Sequence, residues 1–249
     1  MKFIKRNISS DYIKEKTVKD LVVLHFTAGG TLVGAETELA KPDHINVPHI
    51  MDRDGQVYEY FSPKDGWAYH TGYKVYCRRS IGLEIVNWGA LRLMFGLFLP
   101  WTEWNKDERR IDRRKAIPPE RVCVCRDFRG FKYFEMLTSA QVVALPDYLD
   151  TLLEQDYPLT NIITHAEINK NKLDFPPDFE QVYDVVREYN ESILMHQLPV
   201  QDNEILAGQE HLYSADRIQA RINYLIKTYG WNNLELKRLV SYRDSHKSK

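Results

Sequence analysis

The sequence has few cysteines and no excess of charge of either sign. Its 249 residues include three cysteines, and none of them forms a CxxC pair. We therefore expect neither a disulfide scaffold nor a zinc finger, because both need paired cysteines. The 34 Lys and Arg residues are offset by 35 Asp and Glu residues. The resulting formal charge of −1 at pH 7 gives no reason to expect binding to nucleic acid or to anionic lipid.

The apolar stretches are too short for a membrane span. The longest runs from Leu91 to Leu99, is interrupted by Arg92, and is about half of the roughly 20 residues that a spanning helix needs. The N-terminal segment carries recurring charges and has no apolar core of signal-peptide length. We therefore expect a protein that is made in the cytoplasm and has no membrane anchor.

The composition supports a folded domain of ordinary size. Hydrophobic residues make up 43% of the chain and aromatic residues 12%, which is enough for a sizeable core. Alternating strand and helix patterns predict an α/β protein with a central mixed β-sheet flanked by helices. We place the main domain in residues 1–195, with an insertion at about 90–130 that resembles a hairpin or lid. Residues 196–249 are predicted to form a small C-terminal helical extension.

Three predicted strands carry polar residues that are candidates for chemistry. Residues 21–26 form a nearly continuous apolar run, which is typical of a strand buried on both faces, and His25 lies near its end. The short strand 161–164 leads directly into His165. In the strand 81–87, the period of two places Glu84 on the same face as Gly82.

Two histidines at strand ends, with Asp174 nine residues after His165, could supply three ligands to a zinc ion and leave a fourth position open. Spacing alone does not decide between this interpretation and an ordinary structural one, because a histidine at a strand end is commonly just a hydrogen-bonding residue. Motifs such as HExxH, GxSxG or a phosphate-binding glycine loop are absent.

Six segments, in order along residues 25–179, resemble the zinc-dependent N-acetylmuramoyl-L-alanine amidases, whose fold is shared by peptidoglycan-recognition proteins and by phage lysozymes of the amidase type. The similarity runs from about residue 20 to residue 190. The segments are HFTAGGT (25–31), HIMDRDGQVYEYF (49–61), WAYHTG (67–72), IGLEIVNWG (81–89), YFEMLTSAQ (133–141) and THAEINKNKLDFPPDF (164–179).

The resemblance implies specific roles for five residues. His25, His165 and Asp174 correspond to the ligands of a zinc ion (Zn2+). Glu84 corresponds to a carboxylate that some of these amidases use as a general base. Lys172 corresponds to a lysine that faces the oxyanion.

The resemblance also implies residues around the metal. His70 corresponds to a histidine that lies either behind a ligand or toward the substrate, and we assign it to substrate binding together with Thr27 and Trp67. His49 corresponds to a histidine that opens the family's hairpin and is expected to be structural. Pro48 stands where some phage-type members have a tyrosine, so the resemblance leaves proton transfer to Glu84.

The expected function is hydrolysis of the amide between N-acetylmuramic acid and L-alanine in peptidoglycan, with a phage-type wall lysin as the expected context. Two alternatives stay open: a non-catalytic peptidoglycan-binding module, and a cytosolic amidase that recycles muropeptides. The expected partner is peptidoglycan or a muropeptide, with no nucleic acid and no membrane, and the protein is expected to be a monomer. A lysin without a signal peptide would reach the wall only after the membrane is permeabilised.

Overall fold

The computed structural model describes residues 1–6, 12–41, 46–103, 106, 110–197, 222, 239, 240 and 243. The chain divides into two compact units, Met1–Val185 and Val186–Lys249. The predicted boundary at residue 195 stays a prediction, and the predicted helical extension falls almost entirely outside the described residues. Among the residues that are described, no helix combines the length and the apolar composition that crossing a membrane would require.

A six-stranded mixed sheet lies in the first unit and confirms the predicted fold class. The strand order is β1-β4-β3-β5-β2-β10; β3 and β4 pair antiparallel, and the other neighbours pair parallel. The strands are β1 (Ile4–Lys5), β2 (Leu21–Phe26), β3 (His49–Met51), β4 (Val57–Glu59), β5 (Ser80–Ile85) and β10 (Asn161–Thr164). The helices are α1 (Leu32–Leu39), α2 (Lys74–Arg79), α3 (Ser139–Glu154), α4 (His165–Ile168) and α5 (Glu180–Gln197).

The sheet is covered on both faces, which explains the apolar composition of β2. All six residues of β2 are buried. On one face, Leu32 and Ala35 of α1 belong to a core cluster with Ile50 of β3. The neighbouring His49 points to the opposite face, where its Nδ1 lies 3.0 Å from the hydroxyl of Tyr148 in α3. The side chain of His49 therefore packs between the sheet and α3, in agreement with its predicted structural role.

Local sequence signals set several element ends. The predicted hairpin is confirmed: β3 and β4 flank a turn in which Gly55 has φ of 81°, a conformation that glycine adopts without strain. A capping box between Thr138 and Gln141 begins α3, as the spacing of these residues predicts. Pro146 lies inside α3.

The insertion and the strand that follows it form a second, antiparallel sheet of four strands in the order β7-β6-β9-β8. It is larger than the hairpin or lid that the sequence indicates, because two hairpins lie side by side. Its strands are β6 (Ala90–Met94), β7 (Leu97–Pro100), β8 (Val122–Phe128) and β9 (Phe131–Glu135). Between β7 and β8, the buried carboxylate of Glu103 accepts hydrogen bonds from Lys106 and Lys115.

Candidate metal centre

The site lies at one edge of the central sheet, where three parallel strands end. Because β10, β2 and β5 are adjacent and parallel, their carboxyl ends meet at the same edge. His25 of β2 pairs in register with Glu84 of β5, so the two side chains project from the same face. His165 follows β10 directly as the first residue of α4. The strand order thus brings together residues that lie far apart in the sequence.

Gly82 leaves room for His70 beside β5. A Cβ atom at position 82 would lie 2.9 Å from Nδ1 of His70 and 2.8 Å from Cγ1 of Val47. Both distances are shorter than those that side chains tolerate. The ring of His70 therefore lies against the strand backbone, where its centroid is 5.1 Å from that of His25.

His25, His165 and Asp174 converge on a common point. One ligand atom from each lies within 4.8 Å of the other two, and all three residues are buried. The Nδ1 atoms of the histidines are 2.9 Å apart, and Nδ1 of His165 is 3.4 Å from Oδ2 of Asp174. The other carboxylate oxygen, Oδ1, accepts a hydrogen bond from the backbone N–H of Phe26 at 3.0 Å. This contact orients Asp174 with Oδ2 toward the histidines.

A chain of hydrogen bonds determines which nitrogen of His25 carries the proton. Ser80 donates to the carbonyl of Tyr76 at 2.6 Å, so its oxygen accepts from Nε2 of His70 at 2.9 Å. Burial lowers the pKa of His70 to about 3, so the ring is neutral and its Nδ1 accepts from Nε2 of His25 at 2.9 Å. Burial also holds the pKa of His25 well below its ordinary value. We therefore assign His25 an unprotonated Nδ1.

His165 presents the same nitrogen to the site. Its Nε2 donates to the carbonyl of Thr71 at 3.2 Å, because a carbonyl oxygen can only accept. Nδ1 of His165 therefore faces Nδ1 of His25, with Oδ2 of Asp174 beside it. The residues fit a metal ion, and two histidines with one carboxylate are a known ligand set of catalytic zinc sites.

Glu84 and Lys172 flank this cluster. Oε2 of Glu84 is buried and has no hydrogen-bond partner among the described residues. Burial, followed by the charge of Asp174, raises the pKa of Glu84 to about 8, and Lys172 acts in the opposite direction. The positive charge of the exposed Lys172 also contributes to the lowered pKa of His25. The predicted base and the predicted oxyanion-facing lysine are therefore within electrostatic reach of the same cluster.

Comparison with protein families places this cluster in a known context. A family model described as N-acetylmuramoyl-L-alanine amidase matches residues 15–177, a range that contains the three converging residues and both flanking ones. The chain belongs to this family. It is an amidase that hydrolyses peptidoglycan, so the predicted family and activity are confirmed.

Solved structures of other amidases are similar to this amidase at low sequence identity. LysC from Clostridium intestinale URNW is 14% identical, with 76% of this chain and 98% of that chain covered and a TM-score of 0.42. A mutant endolysin from Bacillus subtilis is 13% identical, with coverages of 76% and 98% and a TM-score of 0.46. AmiD from E. coli, in complex with an anhydro-muropeptide substrate, is 14% identical, with coverages of 98% and 94% and a TM-score of 0.45. No curated protein matches the sequence.

The three residues assigned to substrate binding differ in the exposure of their side chains and in the hydrogen bonds that they already make. Trp67 is only 2% exposed, and its indole N–H donates to Glu15 at 2.8 Å; its role in substrate binding stays a prediction. His70 is 4% exposed, and both of its ring nitrogens are hydrogen-bonded within the protein. His70 therefore lies against His25, and its contact with a substrate stays a prediction. Thr27 is half-buried, with its hydroxyl bonded to the backbone of Gly29, and its substrate contact stays a prediction.

Ser80 and Thr71, which orient the two histidines, are missing from the predicted site. One signal in the sequence could have identified Ser80. Residues 80, 82 and 84 share one face of a strand by the period of two, so Ser80 lies on the same face as Gly82 and Glu84. Thr71 acts through its backbone carbonyl, which no side-chain pattern reveals.

Proposed function

We propose that this amidase is zinc-dependent and that His25, His165 and Asp174 hold the metal. The observation that carries the proposal is the convergence of one ligand atom from each of three buried residues, whose other polar atoms are already hydrogen-bonded inside the protein. Such an arrangement binds a cation, and its donor set suits zinc. Zinc held by three protein ligands supplies Lewis acidity and lowers the pKa of a coordinated water to about 7.

Glu84 is proposed as the general base. Its carboxylate projects from the same face of the sheet as His25, and its Oε2 has no partner among the described residues. Glu84 takes the proton of the attacking water and returns it to the leaving amine nitrogen of L-alanine. Proton transfer by a positioned group typically contributes about 100- to 10,000-fold in rate.

Lys172 is proposed to stabilise the oxyanion. As the scissile carbonyl becomes tetrahedral, its oxygen gains negative charge, and the Lys172 ammonium donates a charge-assisted hydrogen bond to it. A single donor of this kind is typically worth about 3 to 4 kcal/mol in the transition state. The exposed position of Lys172 makes its ammonium available to a bound substrate.

We further propose that the substrate is the polymeric wall, as for a phage-type lysin, and that the enzyme acts as a monomer. The four-stranded insertion supports a large substrate, because it exposes the apolar side chains of Leu93 and Phe95. Cytosolic recycling of soluble muropeptides is the alternative that the experiment must separate from this.

The test is hydrolysis of purified peptidoglycan sacculi and of soluble anhydro-muropeptides, with free stem peptides detected by mass spectrometry. We expect release from sacculi, loss of release after chelation, and recovery with zinc. Release from soluble muropeptides alone would reassign the enzyme to recycling. No release from either substrate with zinc present would refute the proposal.

A further inference from the structure

The tip of the second hairpin of the insertion contacts residues 166–174, which comprise the last residues of α4 and the loop that follows it; this segment is called the loop 166–174. Arg129 lies at this tip, between β8 and β9, and has φ of 56°. Its guanidinium donates to three backbone carbonyls, those of Ala166 at 3.0 Å, Asn169 at 3.1 Å and Lys172. One side chain of the insertion therefore contacts the loop at three points spread over seven residues.

This loop connects the elements of the site. It starts in α4, immediately after His165, and ends at Asp174, so it separates two of the three proposed metal ligands and carries Lys172 between them. Its own backbone hydrogen bonds are local: Ala166 N–H donates to the carbonyl of Asp174, and Lys172 N–H donates to that of Asn169. Because these bonds are local, contacts from outside the loop determine how far the loop can move.

Arginine suits this position for two physical reasons. The last carbonyls of a helix lack partners inside the helix, and α4 has only four residues, so Ala166 and Asn169 offer acceptors at its end. A guanidinium presents five N–H donors in a rigid plane, whereas an ammonium is a point donor on a flexible stem. The plane of Arg129 also lies over the ring of Phe128, 4.6 Å from its centroid, which limits its freedom.

A second contact holds the hairpin to the other end of the same segment. The backbone N–H of Arg126 donates to Oδ2 of Asp178 at 2.6 Å. The hairpin is therefore hydrogen-bonded to the segment 166–178 on both sides of Asp174. The side chain of Arg126 is exposed and makes no hydrogen bond or ion pair with the described part of the chain, which makes it a matched control for Arg129.

We propose that Arg129 is a positioning residue through which the insertion holds the loop 166–174, and with it Lys172 and Asp174, in place. The inference rests on the proposed roles of Lys172 and Asp174. It gives the insertion a function inside the amidase reaction: the second sheet supports the loop that joins two ligands. The hydrogen bonds of Arg129 go to backbone carbonyls of the loop and not to the side chains of the three proposed ligands.

The test compares Arg129→Lys and Arg129→Met with Arg126→Met in the full chain. Amide hydrogen exchange over residues 166–174 is measured without substrate, and zinc affinity by competition with a chelator. We expect faster exchange and weaker zinc binding in Arg129→Met, an intermediate result in Arg129→Lys, and wild-type values in Arg126→Met. We also expect kcat on sacculi to fall by about 10- to 100-fold with KM within about twofold, since a small misplacement of a reacting group has that effect.

Wild-type exchange and zinc affinity in Arg129→Met would overturn the inference. So would a loss of thermal stability with kcat unchanged, because Arg129 would then act on stability alone. Failure of the wild type itself to release stem peptides would count against the proposed function. The exchange and zinc measurements would still test the positioning role of Arg129 in that case. A failure of the proposed function can therefore be distinguished from a failure of this inference.

Discussion

The Nδ1 atoms of His25 and His165 face each other at 2.9 Å, and both rings are held in place through their Nε2 atoms. Replacing His165 by alanine removes one of three proposed ligands. We expect zinc affinity to fall by more than about 100-fold, beyond the loss typical for residues that only orient a ligand. Metal content of the purified variant checks this, together with the thermal shift on adding zinc. An unchanged metal content would exclude His165 as a ligand.

Ser80 sets the proton position of His25 through His70. In Ser80→Ala, the ring of His70 loses its acceptor and can turn or change tautomer, so the proton on Nε2 of His25 is no longer fixed. We expect zinc affinity to fall by about 10- to 100-fold with little loss of stability. The control is Ser139→Ala, because Ser139 is exposed. Equal zinc affinity in the two variants would show that the hydrogen-bond chain does not tune the site.

The variant Glu84→Gln tests the general-base role of Glu84 separately from metal binding. The amide has the size of the carboxylate but cannot accept the proton, so we expect kcat to fall by at least about 100-fold with zinc retained. Stem-peptide release and metal content, measured on the same preparation, check both halves. Activity near the wild-type level would assign the base to another group, and loss of zinc would assign Glu84 a structural role.

Lys172→Met removes the ammonium while keeping a side chain of similar length. We expect kcat/KM to fall by about 100- to 1,000-fold, the range found for a single oxyanion donor, and zinc affinity to change little. The matched control is Lys170→Met, an exposed lysine of the same loop. A similar loss of activity in the control would indicate that the charge of the loop matters and not the position of Lys172.

Glu103 makes the stability of the insertion dependent on pH. Burial alone would raise the pKa of Glu103, but hydrogen bonds from Lys106 and Lys115 outweigh it and lower the pKa to about 2. A lowered pKa stabilises the fold above the unfolded value of about 4.3, and this stabilisation is lost as pH falls toward 2.

The variant Glu103→Gln is therefore expected to be less stable at pH 7 by about 1.5 to 3 kcal/mol, the range for hydrogen bonds to a charged group. The difference from the wild type should shrink as the pH is lowered from 5 to 3. Denaturant unfolding of both proteins at several pH values measures it. A difference that does not change with pH would mean that Glu103 acts through packing.

Much of the fold could be predicted from the chain because it depends on local signals. The apolar run of β2, the Asp54-Gly55 turn and the capping box at Thr138 act over a few residues and mark their elements directly. The placement of His25 near a strand end followed from the apolar run of residues 21–26, and that of Glu84 on the face of Gly82 followed from the period of two. Asp174 and Lys172 lie in a loop without periodicity: spacing after His165 made Asp174 a candidate ligand without deciding the matter, and only the family resemblance pointed to Lys172.

The positions of Trp67 and His70 could not be read from the sequence. Both belong to the segment WAYHTG, whose letters resemble a binding segment but do not show how deeply each side chain is buried. Trp67 is buried, and Glu15, 52 positions away, accepts its N–H. His70 turned inward because Gly82 left space beside β5.

The sequence by itself determined the chemical groups and the local elements of this amidase: two imidazoles and a carboxylate for a metal, a glutamate and a lysine beside them, and the strands that carry the histidines. Only the tertiary structure decided which nitrogens face the site, that Ser80 orients His25 through His70, and that Arg129 of the insertion reaches the loop before Asp174. These contacts join residues up to 140 positions apart. Strand register and packing create these contacts. A local sequence pattern specifies an element but does not specify which other element it packs against.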